Sequence, residues 1–326
     1  MITRRHLASL AGAAFIAAAG SAQAQNVTLR STDIHPDGYP TIEAVKYMGQ
    51  LLEQRTNGRV KINVFHSAQL GQEKDTIEQT RFGVIDLNRI NMAPFNNLIP
   101  ATNVPSLPFI FRSVDHMRKV MDGPIGDNLL KDFEKHDLIG LAFYDSGSRS
   151  FYNSKRAINT PADMKGMKIR VQQSDMFVAL VSALGANATP MPFGEVYSAL
   201  QTGVIDGAEN NWPSYESTRH FEVSKFYSLT EHSLSPEVLV MSKRSFDKFN
   251  AADQALIKAA AKESVAKMRE LWDAREKASE AKVRAGGAQI NKVDKQPFID
   301  AMKPVYDKFV TDPKLKDMVA AIQAVN

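Results

Sequence analysis

The 326-residue chain sets 40 Lys and Arg against 36 Asp and Glu, a formal charge of +4, with the two signs interleaved rather than gathered into a stripe. That pattern gives nucleic-acid binding no support. The absence of cysteine excludes disulfides and thiolate metal sites, and the length suits two domains or one large α/β domain.

Residues 1–24 read as a signal peptide outside the fold. Arg4 and Arg5 form a basic head, 7–19 a short apolar run, and Ala22-Gln23-Ala24 the small cleavage residues. Thr3-Arg4-Arg5 resembles a twin-arginine opening but lacks the Phe two places later, so Sec and Tat export both stay open. Removing two arginines and no acids takes the charge from +4 to +2.

Residues 27–32 are a first strand, followed by a polar loop at 33–38. A helix with Ile42, Val45, Met48, Leu51 and Leu52 on one face stops at Asn57-Gly58. Val60, Ile62 and Val64 alternate as a second strand. A helix containing Ile77 and Phe82 ends at Gly83, and Val84-Ile85 enters a third strand or its edge. This alternation is the pattern of a parallel sheet with covered faces. Residues 94–108, rich in Pro and Asn and without period, read as a long ordered loop. Helices around 114–120 and 125–136 lead into a buried strand at 138–144.

A second unit starts at 147, with a β-prone run at Lys168-Ile169-Arg170-Val171, helices at 175–184 and 193–202, and a strand at Val204-Ile205. Residues 237–241 read as a returning strand. From 246 to about 283 the chain is rich in Ala, Lys and Glu, with sparse apolar positions at Leu256, Val265, Met268 and Leu271. One or two long helices with a solvent side are predicted there, lying across both units as a strut.

Two pieces recur in order. Residues 61–67 (KINVFHS) align with 168–174 (KIRVQQS), and Gly83-Val84-Ile85-Asp86 returns unchanged as Gly203-Val204-Ile205-Asp206. The repeat predicts two similar α/β lobes with equivalent strand ends lining the space between them, where ligands of open α/β sheets bind. Lobe I is expected at 25–146 with a return at about 235–250, and lobe II at 147–234. The spanning helix and C-terminal helices, 246–326, pack on both.

That arrangement selects the candidate residues. Arg170 on a strand end is a carboxylate clamp, because its planar fork meets both oxygens at once; the plain alternative is a half-exposed arginine in a surface ion pair. Arg149 is a second clamp candidate. Asn210, after the second copy of the repeat, can donate and accept hydrogen bonds, or simply form a turn beside Gly207. Phe193 supplies an apolar floor or is core. Arg89 and Asn91 stand on the opposite wall, and His35, Tyr39 and His66 lie near strand ends of the first lobe. No nucleophile elbow, Gly-rich phosphate loop or His-Glu-x-x-His occurs. The seven histidines lack ligand spacing, so neither metal nor cofactor is expected. Arg and Asn without a paired base and nucleophile fit capture better than turnover.

Three motifs, GQEKDTIEQTRFGVID at 71–86, MKGMKIRV at 164–171 and GVIDGAEN at 203–210, carry a resemblance. The chain is similar over nearly all of its mature length to the DctP-like solute-binding proteins of tripartite ATP-independent periplasmic (TRAP) transporters. The resemblance implies two α/β lobes with mixed or parallel sheets, hinge strands and a long lobe-spanning helix. It further implies a monomeric periplasmic receptor whose cleft closes on an organic anion and delivers it to a sodium-driven pair of membrane permease subunits. By position, Arg170 matches the family's carboxylate-clamping arginine, Arg149 a second arginine, Asn210 the cleft asparagine and Phe193 the aromatic against the ligand. Asn91 takes a position that is acidic in sialic-acid binders, and with Arg89 close by argues against that ligand. Glu73, inside the first motif, is taken with them as a site residue. DIHPDGY at 33–39 and DLNRIN at 86–91 are similar to hexuronate binders. D-Glucuronate or D-galacturonate is therefore the expected ligand. The alternatives are a C4-dicarboxylate or small hydroxy acid and, in another class, an exported uronate lyase or isomerase with His35 or His66 as base.

Overall fold

The computed structural model describes residues 26–326, so the leader read at 1–24 lies outside the described residues. One sheet contains β1 (Val27–Thr32), β2 (Val60–Phe65), β3 (Leu87–Asn91), β4 (Leu138–Tyr144) and, from much later in the chain, Glu237–Ser242. The other contains β5 (Arg149–Asn153), β6 (Lys168–Val171), β7 (Asn187–Pro190), β8 (Gly207–Asn210), β9 (Phe226–Ser233) and, beyond β10 (Glu237–Ser242), β11 (Gln289–Lys292). The strand orders are β2-β1-β3-β10-β4 and β11-β9-β5-β8-β6-β7.

Both sheets are mixed for the same reason. β10 enters the first sheet directly from the other lobe and runs antiparallel to β3 and β4. β5 enters the second directly from β4 and runs antiparallel to β8 and β9. The start of each crossing strand therefore lies beside the C-terminal ends of its parallel neighbours. This is the expected two-lobed α/β fold.

The long helix is one element of 35 residues, Ala251–Ala285, started by Asn250, whose side chain accepts from the Asp253 N–H at 2.9 Å. It packs on helix Pro40–Arg55 and β4 of lobe I, then on helix Trp212–Ser217 of lobe II. Its buried face is thin and rich in small residues, with Ile257, Ala260, Ala261, Ser264, Met268 and Trp272 facing inward. Charges fix it at both ends. Arg55 meets Glu263 at 2.6 Å, and the lobe II carboxylate of Glu216 accepts from Arg275 and Lys282.

Two strand readings are corrected. Val84-Ile85 and Val204-Ile205 are turns, not strands; the strands begin at Leu87 and Gly207. In each turn a glycine takes positive φ (Gly83 +78°, Gly203 +75°) to end a helix. The next Val is then exposed and the Ile buried. The Asp closes a reciprocal pair with a neighbouring strand. Asp86 Oδ2 accepts from Arg30 N at 2.8 Å while Asp86 N donates to Arg30 O at 3.0 Å. Asp206 does the same with Lys168, at 2.8 Å both ways.

These pairs also correct the alignment. β6 is the counterpart of β1 rather than of β2, because β1 lies between β2 and β3 as β6 lies between β7 and β8. The KINVFHS match is a coincidence of strand composition. Residues 94–108 are likewise no loop but a run of short helical turns, Ala93–Phe95, Pro100–Thr102 and Asn103–Ser106. The Asn103 amide donates to the carbonyls of Asn96 and Pro100, which is what the asparagines do there.

Gly203→Ala places a Cβ in open space but keeps the left-handed backbone. We expect it to lower unfolding stability by about 1–2 kcal/mol in a denaturant titration, with ligand affinity unchanged.

Candidate functional site

The two lobes enclose a narrow polar cavity between facing strand ends, with room for little more than a water molecule. Ile34 and His35 follow β1, Arg89 and Asn91 end β3, and Glu237 starts β10. From the other side come Arg170 and Gln172 at the end of β6, Asn210 at the end of β8 and Arg149 at the start of β5. Glu73, Phe193 and Ser214 complete the lining.

Three arginines line this cavity, and their partners differ. The Arg89 guanidinium is held by Asp33, to which Nε donates at 2.8 Å and Nη2 also donates, and by Glu237, 2.6 Å from Nη1. Arg149 forms a bidentate pair with Glu209, Nε–Oε2 2.5 Å and Nη2–Oε1 2.7 Å, and its Nη1 donates to Asn210 Oδ1 at 2.9 Å. Burial works against both charges, yet these carboxylates outweigh it and raise both arginines above their ordinary pKa.

Arg170 is different. It is 3% exposed, its Nε and Nη2 both donate to the Met191 carbonyl at 3.0 and 2.8 Å, and it has no carboxylate partner among the described residues. Burial, only partly offset by Glu209 and Tyr152, pulls its pKa below the ordinary value. Phe193 covers the guanidinium at 5.9 Å. A buried cation short of a counter-charge is costly, and an anion entering the cavity could offset that cost.

The remaining groups suit hydroxyls. The Glu237 carboxylate accepts from Arg89 and from Asn91 Nδ2 at 3.1 Å. Asn91 Oδ1 accepts from the Ala93 N–H at 3.1 Å, fixing the amide. Glu73 Oε1 accepts from Asn91 N at 3.2 Å, and burial lifts its carboxyl to about 7 despite Arg89. Buried His35 is held neutral, first by desolvation and then by Arg89. Its Nδ1 and the Gln172 Oε1 are buried polar atoms without a partner, and both residues line the cavity.

Among the sequence candidates, Arg170, Arg149, Asn210, Phe193, Asn91, Arg89, His35 and Glu73 come together here. Tyr39 stands one layer back, stacked on His35 at 3.8 Å with its hydroxyl 3.0 Å from Ser214 Oγ across the lobe boundary. His66 is placed elsewhere, its ring bonding Ser67 Oγ at 2.9 Å. It follows β2, the edge strand beside β1, and is not among the residues lining the cavity. Glu237, Gln172, Ser214 and Ile34 were not among the candidates. Glu237 had a signal, since a strand returning antiparallel must begin at the ligand end of its sheet.

The DctP profile, described as bacterial extracellular solute-binding protein, family 7, matches residues 32–312. The chain belongs to this family. As a family 7 solute-binding protein it is a periplasmic transport component and not an enzyme. Two solved TRAP periplasmic solute-binding proteins, both with D-galacturonate bound, are close in fold. The one from Bradyrhizobium sp. BTAi1 is 56% identical, with a TM-score of 0.90, covering 91% of this chain and 99% of that one. The one from Xanthobacter autotrophicus Py2 is 54% identical, with a TM-score of 0.90, covering 91% and 100%. A third, from Chromohalobacter salexigens with D-glucuronate bound, is 44% identical, with a TM-score of 0.89, covering 91% and 100%.

The arginines of this family 7 protein should separate by measurement. Arg149→Ala leaves Glu209 buried with only the His232 ring, 3.4 Å away, beside it, and should cost about 3–5 kcal/mol of stability. Arg170→Ala removes an uncompensated charge, and should melt at or above the wild-type temperature in ligand-free buffer.

Proposed function

We propose that this protein is a receptor for a hexuronate, D-galacturonate or D-glucuronate, and passes it to the membrane subunits of a TRAP transporter. The observation that carries the reading is the unpaired, buried Arg170 opposite hydroxyl-binding groups. Its Nη1 and the free hydrogen of Nη2 suit the two oxygens of a sugar-acid carboxylate. Asn91, Asn210, Gln172, His35, Glu73 and Glu237 offer donors and acceptors to a hydroxylated ring. The galacturonate bound in the Bradyrhizobium and Xanthobacter relatives supports the same class and favours that epimer. A C4-dicarboxylate would need a second unpaired cation, and Arg89 and Arg149 are already matched by carboxylates.

Titration calorimetry on ligand-stripped protein tests this with D-galacturonate, D-glucuronate, D-galactose, succinate and malate. Both uronates should bind and galactose should not, since it leaves Arg170 without its anion. Tighter binding of succinate or malate would overturn the reading. Arg170→Ala should lose about 2–5 kcal/mol of uronate binding, roughly thirtyfold to several thousandfold in Kd. Arg170→Lys should also bind poorly, because the point charge lacks the planar fork. Uronate binding by folded Arg170→Ala within a factor of about three of wild type would place the carboxylate elsewhere.

A further inference from the structure

The acids around Arg89 outnumber what one guanidinium can match. Asp33 and Glu237 both bond it directly, and a third carboxylate, Glu73, stands 4.0 Å from its Nη1. Glu73 opens helix Glu73–Arg81, lines the same cavity as Arg170 and is buried, with Oε1 on the Asn91 N–H. The charged groups facing it are Arg89 on β3, Glu237 on β10 and Arg170 on β6. Lys74, its neighbour on the helix, points its Nζ to the Pro94 carbonyl at 2.8 Å. With Glu73 neutral, Arg89, Arg149 and Arg170 balance Asp33, Glu209 and Glu237. With Glu73 ionised, the site is one negative charge in excess before any anion arrives.

Resting on the hexuronate reading, we propose that Glu73 is a proton-linked residue of the binding site. It is held as the neutral acid in the liganded receptor, so that capture of a uronate anion takes a proton up from solvent. The carboxylate of the ligand neutralises Arg170, one of the cations that favours ionised Glu73. The ring also displaces water from a carboxyl already desolvated. Both effects raise the affinity of Glu73 for its proton. The neutral acid keeps a useful hydrogen bond, because its O–H can donate to a sugar hydroxyl, which accepts as readily as it donates. The helix N-terminus favours the ionised form, but only by a fraction of one charge.

The sign follows from linkage. A group whose pKa is higher in the complex strengthens binding below its free-state pKa, and that gain is lost as pH rises towards the complex value. With the free carboxyl titrating near 7, about half a proton should be taken up per uronate at about pH 7, approaching one at about pH 8. Over the same range Kd should rise, by up to about tenfold per pH unit above it.

The test is titration of D-galacturonate in phosphate and in Tris, whose ionisation enthalpies differ. The difference in heat between the buffers counts protons, and the wild type should show uptake. Glu73→Gln, which mimics the neutral acid, should show equal heats in both buffers whatever its affinity. Carboxyl-carbon NMR of glutamate-labelled wild type reads the event without the variant: one resonance should titrate near neutrality and move its midpoint upward on saturation. Equal heats for the wild type, an unchanged buffer difference in Glu73→Gln, or a midpoint unmoved by ligand would each overturn the proposal. Absence of any uronate heat would instead remove the receptor reading on which it rests, so the two failures are told apart.

Discussion

Arg170 is a buried charge that the fold leaves uncompensated, and the rest of the site is arranged around that fact. Burying an ion is affordable only when another charge meets it. For Arg89 and Arg149 that charge is supplied from within the chain, by Asp33, Glu237 and Glu209. For Arg170 it is not, and a carbonyl oxygen is a weak substitute. Two matched arginines and one unmatched arginine set firm walls around one point of unmet charge. In the receptor proposed above, selectivity for an acid over a neutral sugar would reside at that point.

The same contrast explains how a ligand can favour closure. A ligand shifts a two-state balance only by its difference in affinity between the states. Arg170 belongs to lobe II, while Glu73, Asn91 and Glu237 belong to lobe I, so a ring held by all of them is fully contacted only when the lobes are together. Protein contacts accompany that approach. Tyr39 reaches Ser214 at 3.0 Å, and Gln72 accepts from the Gly194 N–H at 3.3 Å.

Much of this was legible in the sequence because the period of apolar residues reports local structure. Pro40–Arg55 was readable this way, the long helix from its Ala-, Lys- and Glu-rich composition, and the GVID repeat announced two related lobes. What the repeat could not convey is pairing. Val84-Ile85 and Val204-Ile205 look like strand residues because β-branched side chains prefer strands, yet in each pair only the Ile is inside. The alignment of β2 with β6 failed for a related reason. Strand composition says what is buried, whereas the neighbours of a strand are set by connections far apart in the chain. His66 follows β2 with its ring on Ser67 Oγ rather than in the cavity lining. Glu237 and Glu209 were missed as partners because a carboxylate 148 residues from Arg89, or 60 from Arg149, leaves no local trace.

The long helix has a mechanical consequence. At about 1.5 Å per residue it is a rod of about 50 Å, and its sequence from Ala251 to Ala285 contains neither Pro nor Gly. Sharp kinks arise mostly at such residues or at π-bulges, so a continuous helix without them yields by gentle curvature. With ion pairs to lobe I through Arg55 and to lobe II through Glu216, it would take up any separation of the lobes as elastic bending spread over many hydrogen bonds. Such a receptor would behave as a spring rather than a door on a loose pin.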